Sequence, residues 1–162
     1  MASSLNRSLP AFRIRRAVSA DTERVQNFVF ATLRSYGFEP EPEGLDAPVV
    51  AFGTAGGDGS ALEWVAEISG IVVGAIALSP AGEDGQLTVF YLDSAYHGLG
   101  IGRTLLEYVI REAKVRGFHQ LHLETSTLFR EAVHLYEATG WVRGPDLPPE
   151  YGPDRTYSLQ IS

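Results

Sequence analysis

Apolar positions along the chain change period several times, and each change marks an element. Over 12–18 apolar and basic residues alternate, the pattern of a strand with one covered face. Ser19 then offers a hydroxyl N-cap ahead of Asp21 and Glu23, and Val25, Phe28, Val29, Leu33 and Tyr36 recur along one face of a helix that Gly37 closes. Proline and glycine interrupt the next stretch, which carries Glu39, Glu41, Glu43 and Asp46 and predicts an irregular loop, followed by a glycine-rich segment over 53–60. Two strand-like runs, 62–68 and 71–78, meet at Ser69-Gly70 as a hairpin. A further strand over 86–92 is broken by 93–98, and a helix follows over 101–115 with Leu105, Leu106, Val109 and Ile110 on its apolar face. A strand at 118–125, a short helix at 130–138 closed by Gly140, and strands near 141–143 and 156–161 complete the order. This order predicts a mixed α/β (α+β) domain, with helices packed on a twisted, mostly antiparallel sheet and one βαβ passage over 86–125.

Composition narrows the picture. The 162 residues, 44% of them apolar, suit one domain over 1–162, with 1–11 expected as a flexible tail. No cysteine is present, which removes disulfides, thiolate metal sites and a cysteine nucleophile and fits a cytoplasmic protein. No apolar run approaches the roughly 20 residues that span a bilayer, so no membrane association is expected. The net charge of -7 argues against a nucleic-acid surface, which needs clustered Lys and Arg. The acidic loop either faces a cationic ligand or is simply solvated.

The glycine-rich stretch His97-Gly98-Leu99-Gly100-Ile101-Gly102-Arg103-Thr104 opens a helix. The first amides of a helix have no internal acceptor, glycine lets them approach an anion, and the helix dipole favours negative charge there. A phosphate or pyrophosphate ligand follows. The dinucleotide pattern G-x-G-x-x-G fails at Arg103, and a P-loop would need glycine at His97 and lysine at Arg103. His119 and His122 are poor joint ligands, and Glu131-x-x-His134 has no second pair, so no metal is expected.

The run Phe90-Tyr91-Leu92 followed by His97 to Thr104 resembles the acetyl-CoA-binding motif of GNAT acetyltransferases, [QR]-x-x-G-x-[GA] after a strand, with His97 at the Arg or Gln position. Ala132-Val133-His134-Leu135-Tyr136-Glu137-Ala138-Thr139-Gly140-Trp141 is similar to the family's A-x-x-L-Y-E-x-x-G-F signature, with Trp141 for Phe. Phe129 stands where the family often has Asn, so that side chain's cofactor contact is lost. The resemblance extends over about 12–141.

It implies a GNAT fold in which the strand ending at Leu92 splays from the strand ending at Thr125. Backbone groups near Phe90 and Leu92 would hold the pantetheine arm of acetyl-CoA, and amides from Gly98 to Thr104 its pyrophosphate. Tyr136 would hydrogen-bond or protonate the departing thiolate, since a phenol near pKa 10 is not far from a thiol near 8.5. Glu124 is the first candidate for the base that deprotonates the amine, with Glu67, Glu83 and Asp84 behind it; Gln86 replaces a Glu common in relatives. The expected acceptor is a small cationic amine, with a protein N-terminus or lysine as rival, and the resemblance admits a homodimer. A CoA-binding sensor that transfers nothing is the reading from another class.

Overall fold

The structure, a computed structural model, describes residues 11–162, so the tail expected over 1–11 lies outside the described residues except for Ala11. Strands β1 (Phe12–Arg16), β2 (Leu62–Ile68), β3 (Ile71–Ala81), β4 (Asp84–Leu92), β5 (Gln120–Thr125), β6 (Val142–Arg143) and β7 (Arg155–Gln160) form one sheet in the order β1-β2-β3-β4-β5-β7-β6. Every neighbouring pair is antiparallel except β4 and β5. Helices α1 (Thr22–Ser35) and α2 (Ala47–Val50) cover one face, where Val25, Phe28, Val29 and Val49 pack on Val65, Ala75 and Val89. Helices α3 (Ile101–Val115) and α4 (Arg130–Ala138) cover the other, where Leu105, Leu106 and Val109 meet Trp64, Ile76 and Leu123. The mixed, mostly antiparallel sheet flanked by helices is the expected architecture.

Ser69 and Gly70 both adopt positive φ, 50° and 84°, the turn a two-residue hairpin needs. Three helices end in one way. Gly37, Gly117 and Gly140 have φ of 86°, 84° and 95°. The following amides of Phe38, Phe118 and Trp141 donate back to Leu33, Ala113 and Tyr136 carbonyls at 2.9, 3.1 and 3.0 Å. Phe118 therefore closes α3, and β5 starts at Gln120 rather than at 118.

Other boundaries differ for equally local reasons. Ser19 does not cap α1; it opens a 3-10 turn, Ser19–Asp21. Asp21 occupies the N-cap position of α1 without a side-chain bond to the helix; its carboxylate instead accepts the Val18 amide at 2.8 Å and two hydrogen bonds from Arg15 at 2.9 Å, tying the 3-10 turn to β1. β3 and β4 run on toward their shared turn, with Ser79 paired to Gln86 and Pro80 to Gly85, although the apolar alternation has stopped. The four-residue α2 inside the predicted loop region has Pro48 in its first turn and only Val49 buried, too short for a periodic signal.

Candidate active site

β4 and β5 pair in parallel from Gly85↔Leu121 to Leu87↔Leu123 and then part, β4 continuing to Leu92 and β5 to Thr125. The Asp93 amide donates to the Val73 carbonyl at 2.8 Å. Backbone groups alternate in direction along a strand, so Tyr91 and Val89 also face β3, and the N–H and C=O of Phe90 and Leu92 face the open edge. A bulge between the pairs Ala77↔Val89 and Leu78↔Leu87 leaves Thr88 as an extra residue. It shifts the phase of the strand: Leu87 packs with α3, whereas Val89 and Tyr91 pack on the α1 side.

A cavity of about 310 Å³ occupies the parted region, lined among others by Phe90, Tyr91, Leu92, His97, Glu124 and Tyr136. Gly98 to Thr104 do not line it; they continue from His97 at its edge. Asp93 anchors this turn, accepting the Ala95 amide at 3.1 Å and an ion pair from Arg24. Gly98 and Gly100 have φ of 81° and 80°, with no atom within 4 Å of where a Cβ would stand. The Thr104 amide bonds the Gly100 carbonyl at 3.1 Å, and its hydroxyl donates to the same oxygen at 2.9 Å. Thr104 is thus committed to the helix, and Ile101, Gly102 and Arg103 carry the amides without an intrahelical acceptor. The Ile101 side chain is buried, so only its backbone is available, while Leu99 is exposed. A Cβ at Gly102 would sit 2.9 Å from Leu92 Cδ1, so this glycine lets α3 press directly on β4. Arg103 reaches Glu107 at 3.4 Å, and His97 Nδ1 lies 3.2 Å from Glu131 Oε2, joining the turn to α4.

Tyr136 is 4% exposed, with ring centroids of Phe90, Trp141 and Tyr157 at 6.0, 5.8 and 5.7 Å. Trp141 follows the glycine that closes α4, and its indole packs on the Tyr136 ring whose carbonyl its amide binds. Burial pushes the Tyr136 phenol far above the usual range, with Tyr91 and Tyr157 adding to the effect. Burial thereby widens the gap between phenol and thiol, which favours hydrogen bonding over proton donation from this side chain.

The carboxylates divide cleanly. Glu39, Glu41, Asp46, Glu124 and Glu131 line the cavity, and Asp46 accepts the Glu41 amide at 2.7 Å. Glu67 is held by Arg13 and Arg15 at 3.1 and 3.0 Å, Glu83 pairs with His119, and Asp84 with His122 at 2.8 Å, all away from the cavity lining. Two contributors escaped the sequence reading. Thr88 lines the cavity with its hydroxyl buried and unpartnered among the described residues. Phe129, scored as a lost polar contact, packs against Tyr36, Phe38 and Tyr91. The aromatic residues at 36 and 38 flanking a helix-ending glycine were the available signal.

Residues 27–141 match the model of the Acetyltransferase (GNAT) family. The chain belongs to the GNAT family. It is similar to an IAA acetyltransferase of Azospirillum brasilense, 40% identical over 93 residues that cover 56% of this chain and 60% of that one. The chain spans less than two thirds of the length of the curated relatives it matches. A GNAT acetyltransferase from Staphylococcus aureus Mu50 superposes with a TM-score of 0.81 at 20% identity, covering 94% of this chain and 100% of that one. The yncA protein of Salmonella typhimurium, solved with acetyl-CoA, gives a TM-score of 0.74 at 20% identity over 94% of this chain and 95% of its own. These likenesses place the GNAT fold in this chain. Among the described residues no helix is long and apolar enough to cross a membrane, and no group of three or more His, Cys, Asp or Glu side chains could hold a metal ion.

Proposed function

We propose that this GNAT protein moves an acetyl group from acetyl-CoA to the primary amine of a small cationic acceptor by direct attack. One observation carries the reading: orphan amides at the start of α3 lead straight into the unpaired edge of β4, beside a buried tyrosine. The pyrophosphate lies on the amides of Ile101, Gly102 and Arg103, with Gly98 and Gly100 admitting it closely. The pantetheine arm adds to the β4 edge at Phe90 and Leu92 as a further strand would. The acceptor nitrogen attacks the thioester carbonyl, a backbone N–H of the parted strand stabilises the oxyanion, and the C–S bond breaks. Tyr136 hydrogen-bonds the departing thiolate. Its raised phenol makes it a donor that retains its own proton, so the thiolate is stabilised before it is protonated. Glu124, on the cavity wall, takes the amine proton.

The carboxylates Glu39, Glu41 and Asp46 at the cavity support a cationic acceptor. Tyr136→Phe tests the catalytic role. It should leave acetyl-CoA affinity within about twofold and lower kcat by about a hundredfold, the low end of what one preorganised hydrogen-bond donor contributes. Undiminished CoA release would overturn the role of Tyr136, whereas acetyl-CoA binding with no CoA release from the unsubstituted protein would favour a binding module.

A further inference from the structure

The cavity wall on the α1 side is built of aromatic rings. Phe129, just ahead of α4, stands edge-on to Tyr36 with centroids 4.9 Å apart, and lies 5.6 Å from Phe38 and 6.2 Å from Tyr91. The rings come from three parts of the chain: the end of α1, the parted stretch of β4 and the segment before α4. None is fully buried. Tyr36 is 38% exposed, and the other three are half-buried. Rings that merely filled a core would lie deeper; these all line the cavity and keep surface toward it. Charge adds a second constraint. No Lys or Arg lines the cavity among the described residues, and its one imidazole, His97, faces Glu131, while Asp46 and Glu124 contribute carboxylates. Asp46 lines the same cavity as Tyr91, and its charge raises that phenol beyond the effect of burial. Shape adds a third. A Cβ at Gly152 would stand 2.8 Å from Leu45 Cδ1, so the acidic loop touches the segment before β7 across the mouth. That bridge suits a small molecule better than a protein segment.

We propose that the acceptor is an arylalkylamine, a monoamine on an aromatic body whose ring packs among Tyr36, Phe38 and Phe129 while Asp46 and Glu124 draw in its ammonium group. The proposal rests on the acetyl-transfer reading above. In the reaction the N–C bond forms as the thioester C–S bond breaks; of the two protons the ammonium loses, one ends on the CoA thiol and one in solvent. Polyamines offer several charges and no ring, and ringed carboxylates meet the acidic wall.

The test measures free CoA thiol with the full chain at saturating acetyl-CoA, comparing phenethylamine, n-butylamine, spermidine and phenylalanine, which adds a carboxylate to the same ring and amine. Phenethylamine should exceed the others in kcat/KM by about tenfold or more. Phe129→Ala should raise its KM about tenfold with kcat and the n-butylamine KM unchanged, and Phe129→Tyr should restore it. Spermidine or n-butylamine performing as well as phenethylamine would overturn the aromatic acceptor, and phenylalanine doing so would overturn the acidic wall's part in it, both leaving acetyl transfer standing. Failure of acetyl-CoA to bind by calorimetry would overturn the acetyl-transfer reading, and this proposal with it.

Discussion

Gly100 offers a way to separate backbone strain from ligand binding, because the fold supplies its own control. Its φ is 80° and a Cβ built there meets nothing within 4 Å; Gly117, at the other end of α3, has φ of 84° and equally open surroundings. A valine at either position carries a β-branched side chain into the left-handed region, at about 1–3 kcal/mol. For a chain of this size that lowers Tm by about 2–4 °C per kcal/mol, and both variants should still fold. Only Gly100→Val places a side chain in front of the amides of Ile101, Gly102 and Arg103. Losing one charge-assisted hydrogen bond to a phosphate oxygen removes about 1.5–3 kcal/mol, or roughly tenfold to a hundredfold in Kd. The two sites lie about 25 Å apart along the helix at 1.5 Å per residue, too far for Gly117→Val to touch the same ligand. Thermal denaturation of the free protein, paired with acetyl-CoA calorimetry well below Tm, reads both effects. Matched destabilisation with affinity lost only in Gly100→Val is the expected result. Equal affinities in the two variants would refute the assignment of the pyrophosphate to this turn.

Two further outcomes follow from protonation. Burial raises the Tyr136 phenol, so it stays protonated across the assay range, and kcat against pH should show no descending limb below about pH 10 that Tyr136→Phe removes. A limb near neutrality that vanishes in the variant would contradict the donor role. Burial pushes the Asp21 carboxyl up, but hydrogen bonds from Arg15 and the Val18 amide outweigh it and hold it below its usual value of 3.8. A depressed carboxyl contributes stability above its unfolded pKa and loses it as pH falls below. Asp21→Asn should therefore cost roughly 3 kcal/mol at pH 7 and clearly less at about pH 3, measured by denaturant unfolding; equal losses at both pH values would count against the Arg15 pairing.

The elements that could be read from the chain are those whose signals are local. Leu105, Leu106 and Val109 mark α3 by period, and Ser69-Gly70 marks a hairpin by the conformation only such residues adopt readily. What the chain hid is set by neighbours in space. In Leu87-Thr88-Val89-Phe90-Tyr91-Leu92 the apolar residues look like one continuous run, yet the bulge at Thr88 turns Leu87 and Val89 to opposite faces. No alternation pattern reveals a phase shift inside an apolar run. The burial of Tyr136 was hidden for the same reason, since it depends on Phe90, Trp141 and Tyr157, which reach it from β4, the turn after α4 and β7.

The glycine signals, however, do more than end helices. A glycine closure returns the next amide to the helix and presses the residue that bears it against the last turn. Behind Gly37 that residue is Phe38, which is thereby delivered to the ring cluster on the cavity wall; behind Gly140 it is Trp141, which packs at a tilt against Tyr136. Two sides of the candidate site are thus placed by backbone hydrogen bonds at helix ends rather than by long mobile loops. The reach of such a bond is fixed to within a few tenths of an ångström, so the aromatic walls hold their spacing without a ligand to organise them. The acidic loop carrying Glu41 and Asp46 begins directly after Phe38, and its carboxylates inherit that placement. Changing the closure at Gly37 should therefore move the rings and the charges together, whereas changing Gly140 should disturb Tyr136 alone, a division that follows from which helix end carries which wall.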